Sequence, residues 1–127
     1  MTPSYWVRGI RGATTVEEDV SELVLEGTRE LLLKMLEVNG IDDFEPIAAL
    51  FFTTTPDLRS TFPAEAARGL GMTMVPMLCN QEIPVPDRLE RAVRVMLQLN
   101  TTKRQHEMRH VYLRGAVVLR PDLVSAQ

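Results

Sequence analysis

Arginines inside apolar, strand-length stretches constrain this chain more than any other feature. Arg8 and Arg11 lie in Tyr5–Gly12, and Arg94 lies in Ala92–Leu99. Arg114 and Arg120 bracket the apolar run Gly115–Leu119, and none of these stretches contains a carboxylate. A charge within an apolar strand is costly unless an opposite charge meets it. Guanidinium stays ionised and presents a rigid donor fork that matches a carboxylate. The chain is therefore expected to receive a small anionic ligand, a carboxylate.

The rest of the composition narrows the class. A chain of 127 residues with 45% hydrophobic residues suffices for one domain, residues 1–127, with a sizeable core. The net charge of -3 argues against a nucleic-acid partner, which calls for a basic excess. A local basic pocket in an acidic protein suits a small anion better than a polyanion. Cys79 is the single cysteine, so no internal disulfide can form and a reducing compartment is expected. Cys79 with His106 and His110 is a poor zinc set, so no metal is expected. The start, MTPSYWVRG, lacks the pattern of a signal peptide. No apolar run approaches the roughly 20 residues that span a bilayer. No membrane partner and a cytoplasmic location follow as expectations.

Along the chain, Tyr5–Arg11 alternates and predicts a first strand. Asp19 and Ser21 are candidate helix caps, Asp19 with Glu22 resembling a capping box. Val24, Leu31, Leu32, Met35 and Leu36 form the buried stripe of a long helix ending near Val38, with Asn39-Gly40 as its stop. Ile47–Thr55 predicts a buried strand. Pro63 opens a short helix with Gly71 past its end. Met74–Cys79 predicts a strand with Pro76 at an edge or bulge. Asp87–Asn100 fits either periodicity; a helical turn at Asp87–Arg91 leading into a strand is favoured. His110–Leu113 predicts another strand. Strands mixed with one long and one short helix indicate an α+β fold built on a mixed sheet.

The usual catalytic patterns are missing. There is no glycine-rich phosphate loop and no serine elbow. Thr53, Thr54 and Thr55 have no histidine near in sequence and read as strand residues beside a turn. Cys79 at a strand end fits a packing residue as well as a reactive thiol. Glu82 follows a strand and precedes stiffening prolines, a place where loops contact ligands; an ordinary solvated glutamate fits equally. Arg94 on a helix would be a surface charge beside Arg91 and Gln98, and Arg68 reads as exposed. Tyr112 alternates out of the apolar face, where its hydroxyl can meet a polar partner. Together these residues suggest a pocket that stabilises a reacting anion electrostatically.

The segments VRGIRGATTVEED, TPDLRSTFPAEAAR, VPMLCNQE, RVML and RHVYLRGAVVLRPDL, in this order, closely resemble the monofunctional AroH-type chorismate mutases of bacteria. The resemblance implies the conversion of chorismate to prephenate, on the shikimate route to phenylalanine and tyrosine. It also implies a homotrimeric pseudo-α/β-barrel with active sites between subunits, and no cofactor. By resemblance, Arg94 is the arginine at the breaking ether oxygen, and Arg11 with Tyr112 holds the enolpyruvyl carboxylate. Glu82 and Cys79 lie near the ring hydroxyl and allylic part. Phe62, Ala64 and Arg68 form the wall from a neighbouring subunit. Leu119 and Arg120 belong to a closing C-terminal segment, a lid and tail from about 115–127. Glu65 stands where the best-known members carry lysine, and Leu78 where a small polar residue is expected.

Two other classes remain in view. Small trimeric RidA-type enamine or imine hydrolases also bind carboxylates through an arginine between subunits. Loss of Arg94 or Glu82 would favour a non-catalytic carboxylate-binding module, and both are present.

Overall fold

Residues 4–119 are described by a computed structural model. The first strand, β1 (Trp6–Thr15), runs four residues beyond the expected end at Arg11, because residues 12–15 continue to pair with β4. The long helix α1 (Ser21–Val38) buries Val24, Leu31, Leu32, Met35 and Leu36, the expected stripe. Its start departs from expectation. Val20 occupies the cap position without a side-chain bond. The Asp19 carboxylate instead accepts the N–H groups of Arg59 and Ser60, both at 3.0 Å, tying the helix entrance to a distant loop. At the other end Gly40, at φ 63°, reverses the chain as the Asn39-Gly40 stop requires.

Strand β2 (Ile47–Thr54) and the short helix α2 (Ala64–Gly69) lie where the sequence places them. Strand β3 (Met77–Gln81) begins three residues later than expected and runs past Cys79. Pro76 explains the shift: it has no N–H to donate, and its carbonyl accepts from Leu50 just before the strand. Strand β4 (Ala92–Thr101) settles the ambiguous segment. The expected helical turn at Asp87–Arg91 does not form. Asp87 and Arg91 hold φ values of 61° and 47°, and the Arg91 N–H is captured by the Asp57 carboxylate at 2.9 Å. Strand β5 is only Val111–Tyr112, and the apolar run after it is a 3₁₀ turn, Arg114–Leu119, not a strand.

The five strands form one mixed sheet in the order β3-β2-β4-β1-β5. The pairs β1/β4 and β2/β4 are antiparallel, whereas β1/β5 and β2/β3 are parallel. The fold is α+β, as expected. One sheet face carries Ile10, Leu50, Phe52, Val95 and Leu97, packed against Leu31, Leu32 and Met35 of α1 and Ala64 and Ala67 of α2. Gly12 allows a close approach at this crossing, because a Cβ there would force the Met35 side chain to shift. The opposite face, by alternation, presents Arg11 and Ala13 from β1, Phe51 and Thr53 from β2, Leu78 from β3, and Arg94 and Met96 from β4. The 3₁₀ turn roofs one end of that face: Ala116 and Leu119 bury themselves against Ala13. Within the described residues no helix is long and apolar enough to cross a membrane.

Candidate active site

The site is built around Arg94, at the middle of the sheet. Its neighbours in register are Ala13 on β1 and Thr53 on β2. A methyl group on one side and a short hydroxyl on the other leave room for the guanidinium to lie across the sheet. Glu82 comes from just beyond β3. Its N–H bonds the Thr54 carbonyl at 2.7 Å, extending the parallel pairing by one step and fixing where the side chain emerges.

Glu82 Oε1 lies 3.2 Å from Arg94 Nη1, and Thr53 Oγ1 donates to the other carboxylate oxygen. Side-chain exposure is only 29% for Arg94 and 20% for Glu82, so each half-buried charge has its counter-charge at hand. This answers the puzzle of a charged residue in an apolar strand: the carboxylate arrives from another element. Arg114 is resolved similarly, held by Glu30 at 3.3 Å on the outer surface. Arg8 donates to the Lys103 carbonyl and stacks over Trp6, away from Arg94.

Arg11 and Tyr112 complete the central group. Tyr112 stands beside Ala13 in the β1/β5 pairing. Its hydroxyl is buried and has no hydrogen-bond partner among the described residues. A buried hydroxyl without a partner is expensive, and a ligand oxygen would relieve it. Arg11, Phe51, Thr53, Glu82, Arg94 and Tyr112 line one cavity of about 300 Å³. A larger hollow of about 670 Å³ shares Glu82 and Arg94 and is walled by the 83–90 loop, Val118 and Leu119. Two guanidiniums, a carboxylate and a phenol thus converge without a nucleophile–base pair. Among the described residues, no group of His, Cys, Asp and Glu could hold a metal ion.

Leu78 shares the open sheet face beside Phe51 and Leu119 walls the larger hollow, whereas the remaining expected residues among those described lie away from the cavity. Cys79 faces the core side with Phe52 and lines a separate depression of about 310 Å³ together with Phe62. Phe62 is 68% exposed and Leu78 is 60% exposed. Ala64 is buried in the main core rather than open to a ligand. Arg68 is exposed and pairs with Glu65 at 2.5 Å, so the residue in the usual lysine position acts locally as a counter-ion. Arg120 lies outside the described residues. Two residues escaped the sequence reading. Thr53 was visible only as part of a threonine run, and its link to Glu82 depends on strand register. His110 was weighed only as a metal ligand, and it contacts the Arg11 backbone instead.

The family model for chorismate mutase type I matches residues 7–123. The chain belongs to that family. Chorismate mutase AroH of Thermus thermophilus is 61% identical over 121 residues, covering 95% of this chain and 99% of that one. Chorismate mutase AroH of Bacillus subtilis is 47% identical over 118 residues, covering 92% of each. A solved chorismate mutase from Clostridium thermocellum superposes with a TM-score of 0.85 at 44% identity, covering 87% of this chain and 98% of that one. The AroH-type resemblance and the isomerase activity are therefore borne out: this is an AroH-type chorismate mutase.

Proposed function

We propose that this chorismate mutase converts chorismate to prephenate by clamping the substrate and stabilising separated charge, with no covalent intermediate. The observation that carries the reading is the Arg94–Glu82 pair in a cavity that Arg11 and Tyr112 also line. In the rearrangement the C–O bond breaks ahead of C–C bond formation. Negative charge gathers on the ether oxygen and positive charge on the ring. A fixed guanidinium acts most strongly where charge develops, so Arg94 lowers the barrier more than it tightens ground-state binding. Glu82, oriented by Thr53, complements the ring and anchors its hydroxyl. Arg11 and Tyr112 hold a carboxylate, selecting the folded, pseudo-diaxial substrate and lowering the entropic part of the barrier.

The working unit in this proposal is a homotrimer with shared sites, each chain forming one domain. Support comes from the sheet face that carries the site, which α1 and α2 leave uncovered. Support also comes from exposed apolar side chains, among them Val7 at 54%, Phe62 and Leu78. A neighbouring copy would bring the 62–68 segment to the cavity; Phe62 and Arg68 are both exposed on this chain. A reducing, cytoplasmic setting suits the free Cys79. Mixing the pure protein with chorismate should consume its absorbance, and light scattering at micromolar concentration should give a trimer mass. No loss of absorbance would refute the activity; a monomer mass with full turnover would refute the shared site alone.

The 115–119 segment is the roof of this site. Ala116 is fully buried, and Gly115 N–H is anchored on Thr15 Oγ1 at 3.0 Å. Truncation after Arg114 should weaken chorismate capture, read as kcat/KM, more than it disturbs assembly. Full catalytic efficiency in the truncated chain would overturn the roof.

A further inference from the structure

The Arg11 guanidinium can be aimed only if its backbone is fixed, and one side of that backbone is held by a side chain. β5 pairs with β1 through just two positions, Gly12 with Val111 and Ala13 with Tyr112. A parallel ladder carried one step further back would offer the Arg109 carbonyl to the Arg11 N–H. That carbonyl is taken: Asn39 Nδ2 donates to it at 2.9 Å, while Asn39 Oδ1 accepts the Arg109 N–H at 2.8 Å. The Arg11 N–H donates instead to Nδ1 of His110, at 2.9 Å. An imidazole thus replaces a ladder bond at the residue that carries the carboxylate clamp.

We propose that His110 is a positioning residue for Arg11, its neutral ring fixing the backbone of the clamp while Asn39 fixes the segment that bears the ring. The inference rests on the reading of Arg11 as a carboxylate ligand. Nδ1 accepts a hydrogen bond only when the ring is neutral with its proton on Nε2. Burial of the ring, and then the Arg11 charge, push the His110 pKa below its ordinary 6.5, so the accepting form persists at neutral pH. The charge that acts on the ring is that of Arg11 from β1, and Arg109 and Tyr112 are the other titratable groups on its own segment. Protonation would set two N–H donors face to face beside a guanidinium. A histidine whose folded pKa is lowered contributes fully above pH 6.5, and that contribution is lost as pH falls through the lowered value. Substrate capture depends on the folded state alone, so it should weaken as pH falls through the lowered value.

The test uses the full chain with chorismate, and reads KM, kcat and amide exchange at Arg11. His110→Leu should raise KM about tenfold, the effect of one hydrogen bond, with kcat changed less than about threefold. Exchange of the Arg11 amide should speed up by a similar factor. His110→Asn keeps an acceptor near the Nδ1 position but cannot take up a proton in this range. It should restore KM to within about threefold of the parent and abolish the rise of KM in acid. A KM and an Arg11 amide that ignore His110→Leu would overturn the proposal, as would an acid rise in KM that survives in His110→Asn. If the leucine variant fails to fold, the asparagine variant's acid profile decides alone. Arg11→Ala separates the two levels: an unchanged KM there removes the carboxylate role of Arg11, whereas the amide exchange reports on the His110 bond whatever that role is.

Discussion

Replacing Arg94 with citrulline should nearly abolish turnover of chorismate while leaving the fold intact. Citrulline keeps the shape and most of the donors of arginine and removes its charge. If the charge stabilises the breaking ether oxygen, its loss appears in the transition state and lowers kcat rather than raising KM. Removing one well-placed donor from such a site costs about 3–4 kcal/mol, or roughly 10²–10³ in rate, and a full charge costs more. Arg94→Ala should be as inactive. Arg94→Lys should keep a trace of activity, because charge survives while the fork geometry does not. The Glu82 contact makes the experiment sharper. With Glu82 Oε1 only 3.2 Å away, the guanidinium is held before substrate arrives, so positioning is already provided for. A citrulline variant as fast as the parent would show that position, and not charge, is what Arg94 supplies.

Glu82→Gln should also cost roughly 10² in turnover, with chorismate still bound. The amide can keep a hydrogen bond to the ring hydroxyl and to Thr53, but it cannot complement positive charge on the ring. The same change releases Arg94 from its counter-ion, which acts in the opposite direction by strengthening the field at the ether oxygen. The loss is expected to win, because Glu82 would face the ring charge in a cavity where it is only 20% exposed. Steady-state kinetics at saturating chorismate separates the outcomes. Unchanged kcat would make Glu82 a structural partner of Arg94 and nothing more.

The two residues differ in how far their roles could be read beforehand. Arg94 advertised itself, since a guanidinium in AVRVMLQL with no carboxylate nearby demands a partner from elsewhere in the fold. Glu82 did not, because a glutamate before prolines is usually solvated. Its role depends on β3 continuing to Gln81 and on the Glu82 N–H reaching Thr54. The α1 stripe was legible because five apolar positions, Val24, Leu31, Leu32, Met35 and Leu36, fall on one helical face. The 87–91 segment was misread because its polar residues suit a helical turn, while Asp57, 34 residues before Arg91, binds its backbone. The sequence shows the 115–119 run only as apolar; its 3₁₀ conformation and its burial against Ala13 belong to the tertiary structure.

Sequence by itself determined the class of fold, the long helix, the family and the anionic character of the ligand. Those depend on local periodicity, on residue type and on motifs that stand whole in the linear chain. Tertiary structure alone decided which arginines share a cavity. Arg11 and Arg94 face the open side of the sheet, whereas Arg8 and Arg114 are spent on Lys103 and Glu30. It also decided that Thr53 orients Glu82 and that His110 completes the strand pairing at Arg11. The physical reason is register: a strand's alternation assigns its residues to two faces, but pairing between distant segments decides what each face meets.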